Sequence, residues 1–218
     1  SLKAHLHKPF PEIEPMRLAG FFVSCSIDLQ NRLSWIKTQA LAERFREEII
    51  HYFNLVATRE ILNALLLIVN RPDRETAWGL GVSEENQIYS FIMENLGPPS
   101  GPRLQGVSRL AQAREATERE MSAARAQMLR GLNLPSTMPE SFLGDLTVLL
   151  SQAVSFFRVR RIAFLVDDFS IHRLPEPVQI VLNRVIWERR PTHVFKLSCE
   201  KYGAVLTDSF HATIDVTR

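Results

Sequence analysis

Apolar and polar positions along the chain fall into two rhythms, and their alternation is the first clue to the fold. Residues 16–28, "MRLAGFFVSCSID", form a short apolar run rich in Phe and Val, the makeup of a strand buried on both faces. From about residue 37 to 69 the period lengthens. Leu41, Phe45, Ile49, Phe53, Ile61 and Leu65 recur at helical spacing with Glu43, Arg46 and Glu47 between them, which predicts one long helix or two consecutive ones.

Loop residues follow, and then Ser83 with Asn86 and Gln87 opens a short helical pattern reaching Leu96. "GPPSGP" (97–102) is the sharpest internal break, of a length that suits a loop rather than an interdomain linker. Leu104, Leu110, Thr117, Met121, Ala124 and Met128 set a period near 3.5 on a long helix ended near Gly131; one stripe this short is expected to pack on its own domain. A further helix over about 139–157 ends at "RVRR". Next come a strand (161–167), a helix (about 176–189), the strand "THVFKLS" (192–198) and a last short strand "ATIDV" (212–216). Strands alternating with helices predict an α/β fold, a three-layer parallel sheet flanked by helices.

Composition narrows the picture. The 218 residues are 45% hydrophobic, enough for a real core, and 26 basic against 24 acidic side chains leave a formal charge of +2. No global field selects nucleic acid or an anionic membrane. Cys25 and Cys199 lack the spacing of a zinc site or disulfide framework, and the longest apolar stretch, "ILNALLLIV" (61–69), is too short to cross a bilayer. A reducing cytoplasmic setting without membrane insertion fits best.

The chemistry concentrates at 161–198. In an open parallel sheet, ligands collect at the carboxyl ends of the strands, and there the run "RIAFLVDDFS" delivers Asp167 and Asp168. A sheet interior cannot host bare carboxylates, so the pair faces solvent or holds a cation. Read alone, the pair is better explained as loop carboxylates capping the following helix. The neighbouring segments shift that balance. "LPEPVQIVLNRVIWERRP" places Val178, Val181, Leu182, Val185 and Ile186 on one helical face, and the chain then returns through "THVFKLS", whose Ser198 lies at the same edge if the strands are parallel.

In that order the three segments resemble the second half of an AAA-type P-loop ATPase core of the ASCE kind, from the clade of the origin-recognition ATPases and their bacterial relatives. The resemblance implies that Asp167 is the Walker B aspartate holding magnesium, that Asp168 stands at the catalytic glutamate position, and that Ser198 is the polar sensor. "FFVSCSID" and "ATIDV" look like the second and fifth core strands. The implied cofactors are Mg2+ and ATP. The implied partners are DNA and a homo-oligomer or partner protein, and the implied activity is slow ATP hydrolysis driving an assembly or conformational switch.

Two departures matter. Asp168 is one methylene shorter than glutamate, so either the water is positioned differently or hydrolysis is slow, since a base must reach its water. No G-x-x-x-x-G-K-[ST] occurs in the chain, although that loop cradles the phosphates. By the family's order it precedes residue 1, with "SLKAHLHKP" as the tail of the following helix. The family's P-loop strand lies mid-sheet, so its loss leaves unpaired strand edges. The expectation is therefore a single core over 1–218, truncated at both ends, with a helical insertion at about 80–157. If instead the chain is whole, it is a degenerate ATPase-like scaffold and a nucleotide-free interaction module. A role in genome maintenance or anti-phage defence rests on fold likeness alone.

Remaining motifs read as structural. Arg173, Arg189 and Arg190 are available as an arginine finger, but a solvated helix end explains them better. "RVRR" reads as a solvated cluster rather than a phosphate-binding one. The six histidines show no ligand spacing, and Trp35, Trp78 and Trp187 read as packing residues. A metal-dependent nuclease needs further converging carboxylates, for which only Asp28 and Asp215 lie at comparable strand ends.

Overall fold

Three parallel strands, β1 (Leu18–Ser24), β2 (Arg161–Asp167) and β3 (His193–Leu197), pair in the order β1-β2-β3. They come from a computed structural model that describes residues 1–96, 107–188, 190–200, 203–205 and 207. "GPPSGP", Arg189 and the expected strand at 212–216 lie outside the described residues. Helices flank the sheet, as expected of this α/β class: α1 (Phe10–Ile13), α2 (Gln30–Leu33), α3 (Gln39–Arg44), α4 (Arg46–Val69), α5 (Val82–Leu96), α6 (Arg109–Leu129), α7 (Phe142–Ala153), α8 (Ser155–Arg158) and α9 (Glu176–Ile186).

Register sorts the strand residues into two faces, because side chains alternate. Phe21, Phe164 and Phe195 align across the three strands, and Phe195 meets Phe53 of α4 at 6.1 Å between ring centroids. On the opposite face Gly20, Ala163 and Val194 align. The N-terminal residue closes over Gly20, where an added Cβ would lie 3.1 Å from Leu165 and 3.7 Å from the Ser1 Cα.

β1 is shorter than the apolar run 16–28. Ser24 ends it: its hydroxyl accepts from the Ile27 amide at 3.3 Å, and the Asp28 carboxylate accepts from its amide at 3.3 Å. Those side chains take up backbone groups a longer strand would have offered to a neighbour, so residues Cys25–Leu29 wind into a π-helical turn. The helical stretch 37–69 resolves into two elements, α3 and α4, divided at the buried Phe45.

α4 is the core helix. It is long and apolar enough to cross a membrane by length and composition, but 67% of that stretch is buried inside the protein. Its buried Glu48 is satisfied by the Asn133 side chain (2.9 Å) and the Leu134 amide (3.0 Å), and His51 Nδ1 accepts from the Met138 amide. Such pairing lets the helix extend well beyond the apolar segment 61–69.

Ser108 caps α6 and Gly131, at φ 71°, follows its end. Its apolar stripe packs on α4 and α5, within the domain. The helix anticipated over 139–157 breaks at Val154, which has extended backbone, into α7 and α8.

"RVRR" is not a solvated cluster. Arg158 is exposed, but Arg160 is buried and donates to three carbonyls, Met16 (2.9 Å), Phe156 (2.8 Å) and Glu14 (2.6 Å), while its guanidinium lies over the Phe156 ring. Burial lowers its pKa. Trp78 is fully buried against Phe10 and Phe156, as its packing role required.

Candidate functional site

The carboxyl ends of β1 and β2 are level, since Ser24 aligns with Asp167. One residue beyond, Asp168 adopts φ 58°, the left-handed region that asparagine and aspartate tolerate better than other side chains. This sharp turn aims two consecutive carboxylates away from the sheet.

Ser198, the first residue past β3, laces this corner together. Its amide donates to the Val166 carbonyl at 2.9 Å, and its hydroxyl donates to Asp167 Oδ1 at 2.5 Å and accepts from the Asp168 amide at 3.2 Å. The Phe169 amide returns a bond to the Ser198 carbonyl at 2.9 Å. All three residues singled out from the sequence therefore meet at one edge, and they meet because β2 and β3 are parallel.

Around them stand groups the sequence reading passed over or read differently. Arg173 Nε donates to Asp168 Oδ2 at 2.6 Å, and another nitrogen of the same guanidinium reaches Gln30 Oε1 at 3.3 Å. Its cation serves its own chain. The spacing Asp168 to Arg173 within one loop was the available signal. Arg190 is occupied elsewhere by Glu188 and Asp145, which raise its pKa.

Asp28 lies on the turn after β1, not at a strand end, and Arg59 donates to it at 2.7 Å. That partner neutralises one of the two further carboxylates named for a metal-dependent nuclease; the other, Asp215, lies outside the described residues. Cys25 is buried beneath this edge. Burial first, then the charges of Asp168, Asp167 and Asp28, push its thiol far up, so it stays protonated.

Among the described residues, no cluster of three or more His, Cys, Asp or Glu side chains forms a metal cage. Magnesium does not need one: it binds through one or two carboxylates together with retained water and phosphate oxygens. Asp167, half-buried and with one oxygen held by Ser198, has the donor chemistry for that mode.

A parallel α/β sheet flanked by helices, with polar side chains gathered at its carboxyl edge, is consistent with a P-loop NTPase-like domain. The family model ORC-CDC6-like matches residues 3–213, and the chain belongs to that family. Membership indicates an ATPase-type, nucleotide-binding role. No curated protein matches the chain, and no solved structure matches it.

Proposed function

We propose that the protein binds magnesium-ATP at the carboxyl edge of its sheet, hydrolyses it slowly, and acts as an assembly or conformational switch. Asp167 would hold magnesium through water, and the ion would neutralise charge on the phosphates when bound. Asp168 would orient the attacking water, and Ser198 would respond to the phosphate. The observation that carries this reading is the Ser198 hydroxyl, placed at 2.5 Å from Asp167 and 3.2 Å from the Asp168 amide.

Before Asp168 can act on water, its oxygen must leave Arg173, 2.6 Å away. That ion pair and the short aspartate side chain both favour slow turnover. DNA and a second copy of the chain are proposed as partners, and a cytoplasmic setting is proposed, on family membership alone.

Titration of magnesium-ATP into the longest native form of the protein, beside Asp167→Ala, tests the reading. Binding that weakens at least about tenfold in the variant supports it, and absence of binding to the native form overturns it. A second reading is a nucleotide-free interaction module on the same scaffold. The ion pair that occupies Asp168 favours it. That reading predicts no heat from magnesium-ATP at all.

A further inference from the structure

Beside the turn that follows β1, α2, α4 and α6 line a half-open pocket of about 350 Å³. Arg32 reaches it from α2, Tyr52 and Arg59 from α4, and Glu118, Ser122 and Arg125 from α6. Three guanidinium groups and one carboxylate line the same space.

Their partners are unequal. Arg59 is committed to Asp28 at 2.7 Å and Glu60 at 3.0 Å. Glu118, the single acid on the wall, is held by Arg114 at 2.7 Å. Arg32 lies against the Tyr52 phenol, and neither Arg32 nor Arg125 has a carboxylate partner among the described residues. Two cations thus face a concavity whose one acid among the described residues, Glu118, is already paired. Like charges gathered without a counter-charge cost free energy unless an anion joins them. Guanidinium forks suit phosphate, and the Tyr52 phenol adds a neutral donor, while the Ser122 hydroxyl is held by the Glu118 carbonyl at 3.0 Å.

Shape decides the size of the ligand. A cavity walled on three sides by helices is within the range of small-molecule pockets, larger than a lone ion requires and unlike a groove tracking a polymer backbone. We propose that this cavity binds a small phosphorylated compound, its phosphate on Arg32 and Arg125 and its remainder against Tyr52 and Met121. Its lining contains none of Asp167, Asp168 and Ser198, so the proposal does not depend on the magnesium-ATP reading.

Calorimetric titration with pyrophosphate in buffer containing a magnesium chelator tests the proposal on the whole chain. Arg32→Gln, Arg125→Gln, Arg158→Gln and Arg173→Gln are compared with the unaltered protein. Expected is binding that falls at least about tenfold in Arg32→Gln and Arg125→Gln and persists in Arg158→Gln, an exposed cation elsewhere. Arg173→Gln, which removes the cation beside Asp168 at the strand edge, leaves it in place.

Four outcomes overturn the proposal: no pyrophosphate binding by the unaltered protein; equal weakening by Arg158→Gln, which marks general charge attraction; loss in Arg173→Gln alone, which places the anion at the strand edge; and binding of a single-stranded oligonucleotide without any of pyrophosphate. Arg125 is exposed, so its variant keeps the test valid if Arg32→Gln unfolds early in a thermal melt. The magnesium-ATP titration fails or succeeds independently, since it reads a different site with the metal present.

Discussion

The Ser198 hydroxyl hydrogen stands between two strands' ends, donated to Asp167 Oδ1 across 2.5 Å while the Asp168 amide donates to the same oxygen atom of the serine. Ser198→Ala removes both bonds. It should lower unfolding free energy by about 1 kcal/mol, the ordinary net worth of such a bond, because the edge is open enough for water to replace part of the loss. On the proposed function the same change slows hydrolysis more than it weakens magnesium-ATP binding. Urea denaturation and single-turnover kinetics check the two parts separately.

Asp168 holds a left-handed backbone. Two substitutions that both abolish the Arg173 ion pair should therefore differ: Asp168→Gly relieves the strain and Asp168→Ala retains it. The glycine variant should be the more stable by about 1 kcal/mol, read from denaturant midpoints. Equal midpoints would show that the turn costs nothing here.

Arg160 satisfies three main-chain carbonyls with one buried side chain. Arg160→Ala should destabilise the protein by about 3 kcal/mol, because a charged donor is lost and its acceptors stay enclosed. The exposed Arg158, two residues earlier, gives the contrast: Arg158→Ala should cost less than about 0.5 kcal/mol.

His193 is buried beside Thr147, with which it shares a hydrogen bond of 3.1 Å. Burial lowers its pKa below the ordinary 6.5, opposed by Glu188 and assisted by Arg190 and Arg161. The unfolded chain thus takes up the proton at a higher pH than the native state does. This group's contribution is fully present above about pH 6.5 and declines as pH falls below it towards the native pKa. Urea midpoints measured from pH 7.5 to 5 should drop, and His193→Gln should flatten that part of the profile.

The two cysteines should behave oppositely. Cys25 is buried and kept protonated by its surroundings, whereas Cys199 is exposed. A thiol reagent should label one cysteine in the native protein and two in denaturant, and Cys199→Ser should remove the native signal.

The stretch from 161 to 198 was the most legible part of the sequence. Apolar runs there end in charges or prolines, so β2, α9 and β3 fall within a few residues of their expected limits. β1 was overextended because Cys25 and Ile27 continue the apolar count; the turn is decided by the polar side chains of Ser24 and Asp28, which act on the backbone. Val154 is apolar too, and nothing in its period announced the break between α7 and α8.

At the edge itself, Asp167, Asp168 and Ser198 could be brought together in advance because parallel strands place their ends side by side. Arg59 on Asp28, and Arg160 on Glu14 and Met16, could not be anticipated. Their partners are set by folding over long sequence distances, and a carbonyl leaves no mark in the sequence. The cations in "RVRR" looked alike by composition, yet one is enclosed and another is in water.

Arg160 lies 144 residues from Met16, and the β1–β2 pairing beside it spans a comparable length of chain. Closing so long a loop costs entropy before its contacts repay it, which slows the pairing of β1 with β2 relative to the local contacts of the helices between them. At an elongation rate of about 10 residues per second, β1 leaves the ribosome about 15 s before β2 exists. During that interval its Phe-rich surface lacks the β2 neighbour it has in the folded protein, and the β1–β2 pairing is a late event in the life of the nascent chain.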